Sequence, residues 1–368
     1  MHGMWMIKCY LLLLLQCSYA VIPEQRASDD SLVMLIAIFR HGVRSPITTF
    51  PTDPNANYPW VGGFEALQPE GFAELHLLGE NMRKRYGRFI PKRTADMKRK
   101  IYAASSCSER CIDSAHSFLK GLLAGRRQPV PIHVILPDED TFLIQNRTCP
   151  KARQVWKQLG VEPDSEYFSL FKEAEELKEF VSKEIGEPIK SLRDLVIILD
   201  SLEVFNTFHL QQPAWADQVF PQRVRPLILG FLRSYTGSDE LKLIRGGAIL
   251  TELIDKMRAK RDGQKEFRRR MVFYSGHDLT QVSLFNSLGV KDMLTRRPEC
   301  GSAVVFELHK NNIFWRDLEV RMLYYANSNV SVPVKLSIPA CPEPCPLTLF
   351  EQSVEHLLLA DYDKTCQL

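Results

Sequence analysis

The chain has 368 residues, of which 45% are hydrophobic and 25% are charged, and its net charge is +3. This composition is typical of a globular protein with one large core or two domains. The nearly balanced charge argues against a basic nucleic-acid-binding protein or a polybasic membrane-binding protein, so no nucleic-acid partner is predicted.

The amino-terminal segment differs from the rest of the chain. Lys8 precedes the apolar run Leu11 to Leu15, and Ser18-Tyr19-Ala20 places small residues where a signal peptidase requires them. The pattern predicts a signal peptide over residues 1–20. The alternative, a transmembrane anchor, is disfavoured because the apolar run is too short to span a bilayer. The end of the chain, 361–368, has no apolar tail, so we expect a secreted protein without a stable membrane anchor.

Apolar periodicity predicts the elements that follow. The continuous run Leu32 to Phe39 is typical of a strand covered on both faces. Pro69 opens a helix with apolar residues at steps of three and four, and a second helix is predicted from Ser108 to Leu123. Further helical patterns run from Phe168 to Ile185 and from Ser191 to Phe208. Later strands are predicted at 271–274 and 303–308, and 315–325 continues the last of these as a hairpin.

This order predicts an α/β fold with a helical insertion. Strands with helices before and after them are interrupted by a mostly helical middle segment. We therefore expect a catalytic core formed by residues 21–125 and 245–368, with an α-helical cap formed by residues 126–244.

The cysteines fit an oxidising compartment. Removal of the signal peptide leaves an odd number of them: Cys107, Cys111, Cys149, Cys300, Cys341, Cys345 and Cys366. No spacing with histidine indicates a metal site, so disulfides are the expected use and at least one thiol is free or pairs between chains. The segment Cys341-Pro-Glu-Pro-Cys345 suggests a local bridge. Asn146 and Asn329 each begin a glycan acceptor triplet, which suits a secreted surface.

The residues with the clearest chemistry follow the first strand. Arg40, His41 and Arg44 stand just beyond its carboxyl end, where ligand sites of α/β sheets lie. Guanidinium groups match phosphate oxygens, and a neutral imidazole between them can attack phosphorus. Gly42 would permit a close backbone approach. The alternative is that Arg-His-Gly is only a turn.

A second cluster follows a later strand and strengthens the functional interpretation. His277 and Asp278 come directly after the apolar run 271–274. His277 would add a donor near the phosphate, and Asp278 would protonate the leaving oxygen. Asp278 would also suit the amino terminus of the following helix, and the two roles are compatible.

These motifs resemble the histidine acid phosphatases, the secreted and lysosomal branch of the histidine phosphatase superfamily. The resemblance rests on FRHGVRSP at 39–46, TFPTDP at 49–54, SGHD at 275–278 and CPEPCP at 341–346, and it extends over nearly the whole chain after the signal peptide. The resemblance is greatest to animal members of prostatic, lysosomal and venom type.

The resemblance implies a fold and a set of roles. The fold would be a phosphoglycerate-mutase-like core sheet flanked by helices, with a helical cap. His41 would become the phosphohistidine, Asp278 would be the general acid, and the phosphate-binding residues would be Arg40, Arg44 and His277. No cofactor or metal is required, and homodimers are common in the family. Cys149 would pair with Cys366, and Cys341 with Cys345.

Two departures from the family pattern raise questions. We expect a third phosphate-binding arginine to open the motif after Tyr102, but position 104 is alanine, whereas the later arginine of that motif, Arg110, is present. The loss would reduce activity about 10²–10³-fold unless a neighbour such as Arg99 compensates. Cys300 also lacks its expected partner near residues 201–204. Cys107 and Cys111 are candidates for this partner, or they pair with each other or simply pack.

The sequence thus predicts a secreted or lysosomal acid phosphatase whose substrate is a small-molecule or protein phosphomonoester. Ala104 raises the possibility of reduced activity. The alternative is a secreted binding protein, catalytically weak or inactive, on a phosphatase scaffold. A phytase-like member is a less favoured third interpretation.

Overall fold

The computed structural model describes residues 31–124, 130–145 and 147–368. The predicted signal peptide and Asn146 lie outside these residues. No helix in the described ranges combines the length and the apolar character needed to span a membrane.

Eight strands of the described chain form one mixed sheet, as an α/β fold requires. Its order is β3-β2-β4-β1-β5-β6-β7, and β8 pairs with β6. The strands β3, β2, β4 and β1 run parallel, whereas β5, β6 and β7 are antiparallel to their neighbours. The strands are β1 (Leu32–Arg40), β2 (Ile101–Ser106), β3 (Ile132–Ile135), β4 (Met271–Gly276), β5 (Ala303–Lys310), β6 (Leu318–Tyr325), β7 (Val334–Leu336) and β8 (Cys345–Pro346).

Helices cover both faces of the sheet. They are α1 (Pro69–Tyr86), α2 (Thr94–Lys100), α3 (Glu109–Leu122), α4 (Pro150–Leu159), α5 (Phe168–Ile185), α6 (Leu192–Thr207), α7 (Val224–Ser234), α8 (Asp239–Leu241), α9 (Gly247–Arg261), α10 (Asp278–Leu288), α11 (Leu347–Val354) and α12 (Tyr362–Thr365).

Alternation along β1 explains the two-sided covering. Leu35 and Phe39 lie in an apolar cluster with side chains of α1 and α3. Ile36 and Ile38 point to the other face and lie in a second cluster with side chains of α9, α10 and the middle helices. Because successive side chains of a strand point to opposite faces, a strand buried on both faces is apolar throughout.

The middle segment is helical only in part. β3 falls within the predicted cap, yet it pairs with β2 in the main sheet, with Ala103 opposite Ile132. The helices of this segment begin at Pro150. β3 is a four-residue edge strand whose side chains are partly or fully exposed, so it lacks the apolar pattern that identified the central strands.

Two disulfides involve the carboxyl-terminal region, one to a distant segment and one local. Cys149, just before α4, is bonded to Cys366, and Cys341 is bonded to Cys345. Among the cysteines of the described chain, Cys107, Cys111 and Cys300 are free. Of the alternatives for Cys107 and Cys111, pairing with each other or with Cys300 is therefore wrong, and the third, that they remain unpaired, is confirmed together with the expected free thiol.

Candidate active site

The two clusters identified in the sequence meet at one edge of the sheet. β1 and β4 are adjacent and parallel, with Arg40 opposite Gly276. The backbone amide of His41 donates to the Gly276 carbonyl oxygen at 3.1 Å. The ring centroids of His41 and His277 are 5.5 Å apart. Since parallel strands end at the same edge, residues more than 230 positions apart in the chain become neighbours.

His41 is held as a neutral imidazole. Its Nδ1 lies 2.8 Å from the Gly42 carbonyl oxygen, which only accepts, so Nδ1 carries the proton and Nε2 keeps its lone pair. Burial lowers the pKa of His41 well below its usual value, and the nearby charges of Arg110 and Arg40 lower it further. The ring therefore stays uncharged, and nucleophilic at Nε2, in acidic solution.

Gly42 fixes the backbone beside this imidazole. A Cβ atom at this position would lie 2.4 Å from the carbonyl oxygen of Gly71, in the first turn of α1. Backbone atoms cannot move aside as a flexible side chain can, so only glycine allows this approach. The close packing of α1 against the loop holds His41 at the end of β1.

The charges of three buried arginines act on the imidazole of His41. Arg40, Arg44 and Arg110 are each at most 8% exposed. Within the described chain, the Nε atom of each of them is buried without a hydrogen-bond partner. A buried donor left unpaired costs about 1–3 kcal/mol, and three cationic donors together suit a multiply charged oxyanion.

The third of these cations is not where the sequence led us to expect it. Arg110 is the second residue of α3, and after burial its charge contributes most to the lowered pKa values of both His41 and His277. Its Nη1 donates to Glu65 Oε2 at 2.8 Å. Arg110 therefore lies beside both histidines and supplies a third guanidinium group.

The expected compensating residue, Arg99, lies elsewhere, so that prediction is wrong. Arg99 precedes the amino end of β2 and pairs with Asp96 at 2.6 Å. Ala104 is 1% exposed and packs in an apolar cluster that includes Phe142 and Tyr274. Arg110 follows the carboxyl end of β2, and that position was the sequence signal that could have identified it.

His277 caps α10 and faces the site from β4. Its backbone amide donates to Thr280 Oγ1 at 2.9 Å, and its Nε2 lies 2.9 Å from Ser106 Oγ. The thiol of Cys111 lies 3.5 Å from the same Nε2. Burial, followed by the charge of Arg110, lowers the pKa of His277 to about 3. His277 is thus a second neutral imidazole, whose ring is oriented by hydrogen bonds.

Asp278, the first residue of α10, sits within a network of ion pairs. Its Oδ2 accepts from Arg297 Nε at 2.6 Å and lies 3.1 Å from Arg40 Nη2. Arg297 also donates to Asp200 at 2.7 Å, and Arg44 pairs with Asp200 at 2.7 Å. Contacts therefore run continuously from Arg44 through Asp200, Arg297 and Asp278 to Arg40. They connect two arginines that are expected to bind phosphate with the carboxyl group that is expected to act as the acid.

Sequence reasoning missed Asp200 and Arg297. Asp200 lies in α6, among helices that gave only an apolar periodicity, and Arg297 lies in a loop between α10 and β5. Neither stands at the end of a strand, so no local pattern signals that they reach the site.

The match to a known family agrees with this arrangement. The model of the histidine phosphatase superfamily (branch 2) matches residues 31–325. The chain belongs to this superfamily. It is therefore an enzyme of a phosphatase family, and phosphomonoesters are its expected class of substrate.

Named relatives of this histidine phosphatase cover nearly all of it. Human lysosomal acid phosphatase is 28% identical over 99% of this chain and 86% of its own length. Bovine prostatic acid phosphatase is 27% identical over 98% of this chain and 94% of its own length. The solved phytase of Citrobacter braakii is 15% identical, with a TM-score of 0.65 over 92% of this chain and 100% of its own. This last similarity concerns the fold alone.

A large cavity leads to the site of this histidine phosphatase. Its volume is about 1140 Å³, and Arg40, Arg44, Asp200 and Arg297 are among the residues that line it. The middle helices provide an apolar wall that includes Leu170, Val204, Phe208, Ile228 and Leu229. The helical segment thus shapes the space beyond the phosphate site, where the organic part of a substrate would lie.

Proposed function

We propose that this histidine phosphatase is a secreted or lysosomal acid phosphatase that hydrolyses phosphate monoesters through a phosphohistidine at His41. The observation that carries the proposal is the position of a neutral imidazole, with Nε2 unprotonated, among three guanidinium groups that have unpartnered Nε donors. The names of its relatives as lysosomal and prostatic acid phosphatases support both the activity and the location.

In the proposed first step, Nε2 of His41 attacks phosphorus and the bond to the ester oxygen breaks. Arg40, Arg44 and Arg110 neutralise charge on the transferring phosphoryl oxygens. Asp278, in its protonated form, gives its proton to the departing oxygen. The products are the free alcohol and a phosphohistidine.

In the second step, water attacks the phosphohistidine and the bond between nitrogen and phosphorus breaks. Asp278 takes a proton from the water, which regenerates the acid, and inorganic phosphate leaves. His41 returns to its neutral form, held by the Gly42 carbonyl group.

A test of the proposal uses a chromogenic ester and an acceptor alcohol. We expect the purified protein to release equal amounts of p-nitrophenol and phosphate from p-nitrophenyl phosphate at about pH 5. Added ethanol should lower the ratio of phosphate to nitrophenol, because a covalent phosphoryl intermediate can be captured by either acceptor. A ratio that ethanol does not change would contradict the covalent intermediate. Absence of any release would instead favour the alternative, a binding protein on this scaffold.

The prediction of reduced activity depended on Ala104, and the position of Arg110 beside both histidines supports the proposal that the site still holds three guanidinium groups. We expect Ala104→Arg to leave turnover of p-nitrophenyl phosphate no higher than in the wild type, because three cations already surround His41. The variant should also have a lower melting temperature, since the new charge would be placed in an apolar cluster. Steady-state rates and thermal melts check both outcomes. A rate increase of about tenfold or more would restore Ala104 as a defect in the site.

The remaining expectations are part of the same proposal. The signal peptide over residues 1–20, glycans on Asn146 and Asn329, and a homodimer stay predictions. Asn329 is exposed and lies at the edge of the cavity, so a glycan there would stand beside the substrate opening.

A further inference from the structure

Arg297 forms ion pairs with two buried carboxylates, one of which belongs to the expected general acid. Its Nε and Nη2 lie 2.6 and 2.5 Å from Oδ2 of Asp278, and its Nη1 lies 2.7 Å from Oδ1 of Asp200. The guanidinium group is therefore held between two buried carboxylates. Asp200 is anchored in turn by Arg44. These ion pairs hold the guanidinium group of Arg297 in the wall of the cavity.

The surroundings of Asp278 favour its ionised form. Its Oδ1 accepts from the backbone amide of Leu279 at 2.8 Å, and Oδ2 faces the cations of Arg297 and Arg40. Burial by itself would raise the pKa of Asp278, but Arg297 first and Arg40 second outweigh it and hold this pKa well below the usual range. The titratable or charged groups that act on or lie near this carboxyl group from neighbouring elements are Arg40, His41, Cys111, Asp200, His277 and Arg297.

We propose that Arg297 is a positioning residue for the reaction and that, by holding the Asp278 carboxylate in a two-point ion pair, it biases the enzyme toward phosphate esters whose leaving group departs without a proton. The inference rests on the proposed function. Esters of acidic phenols fall in the favoured class, because their phenolate is a stable anion. Esters of ordinary alcohols fall in the disfavoured class, because their alkoxide must be protonated as the bond breaks.

The cavity is compatible with this class of substrate. Its apolar wall, formed by side chains such as Leu170, Phe208 and Ile228, can hold an aromatic leaving group beside the phosphate site. Attack by Nε2 of His41 on phosphorus consumes no proton, so it does not require the proton of Asp278. Only the protonation of the leaving oxygen depends on this carboxyl group.

The test compares two substrates in matched variants. We expect Arg297→Gln and Arg297→Met to raise the ratio of glycerol 2-phosphate turnover to p-nitrophenyl phosphate turnover on the order of tenfold at about pH 5.5, because each pKa unit regained by Asp278 gives ten times more of the protonated form. Arg296→Gln is the control, since it removes the same charge from the same loop with a side chain that is 71% exposed. We expect this control to keep the wild-type ratio.

A merely structural role for Arg297 predicts a different result. Damage to the site would lower both rates by the same factor, and an unchanged ratio in the two Arg297 variants would overturn the inference. If the wild type hydrolyses neither substrate, the proposed function itself is refuted, and the inference falls with it.

The wild-type protein provides a second measurement that does not depend on the folding of any variant. We expect its ratio of glycerol 2-phosphate to p-nitrophenyl phosphate turnover to rise continuously as the pH falls from about 6 to about 3.5, because the protonated fraction of Asp278 is still increasing there. A ratio that reaches half of its low-pH limit at about pH 4 or above would show an acid with an ordinary or raised pKa and would overturn the inference.

Discussion

Replacing His41 with alanine is expected to reduce turnover of p-nitrophenyl phosphate by about 10³-fold or more, because the variant has no atom that can form the phosphoryl intermediate. No other described side chain can replace it directly. His277 is the nearest imidazole, but its Nε2 is engaged by Ser106 and its backbone amide is bonded to Thr280 at the start of α10. The loss should appear in kcat and in kcat/KM together, since the interaction removed belongs to the transition state.

The matched control for His41 is His116→Ala, which makes the same substitution on an exposed position of α3 and should keep the wild-type rate. A chemical readout separates the nucleophile from a binding residue. Brief mixing with a labelled substrate, followed by alkaline quenching, should leave a base-stable, acid-labile phosphoryl group on the wild type and on His116→Ala, but none on His41→Ala. Substantial residual activity in His41→Ala, with label still attached to the protein, would assign the nucleophile to another residue.

Replacing Arg110 with alanine is expected to lower kcat/KM by about 10²–10³-fold, because it removes a preorganised cation from the transferring phosphoryl group. The structure gives the reason. Arg110 is 8% exposed, its Nε has no partner among the described residues, and its charge acts strongly on both site histidines. Inhibition by inorganic phosphate should weaken as well, since the product binds the same donors.

The control for this second prediction is Arg99→Ala. Arg99 is the cation that the sequence offered as a replacement, and it pairs with Asp96 near the opposite end of β2. Its removal should leave kcat/KM and phosphate inhibition unchanged. If Arg110→Ala retained activity within about twofold of the wild type, Arg110 would not be the third phosphate-binding residue, and Ala104 would again mark a weakened site.

The central strands and α1 could be predicted from the sequence because burial produces a local pattern of apolar residues. β1, β4 and β5 are covered on both faces, so each is a short continuous apolar run, and α1 begins at a proline followed by apolar residues on one face. β3 lacks such an apolar pattern, since it is a short edge strand with polar neighbours. For this reason the predicted cap boundary at residue 126 placed a strand of the main sheet among the helices.

The same reason separates the site residues that were found from those that were missed. The predicted site residues lie at the carboxyl ends of apolar strands or within four residues of them: Arg40, His41, Arg44, His277 and Asp278. The sequence alone can locate such positions, because parallel strands end at the same edge of a sheet. Whether Arg110 or an arginine at position 104 completes the site depends on the face of β2 and the first turn of α3. Motif spacing does not answer this question. The side-chain directions, with Ala104 in an apolar cluster and Arg110 near both histidines, favour Arg110.

The sequence by itself therefore determined the family chemistry of this protein: an imidazole and flanking arginines at a strand end, and a Gly-His-Asp segment at a second. Only the tertiary structure decided which charged side chains surround these residues. Asp200 and Arg297 lie about a hundred residues apart in the chain and meet beside Asp278 because α6 and the loop after α10 close over the same strand ends. Charge interactions depend on distance through space, and this distance is set by packing rather than by the order of the residues.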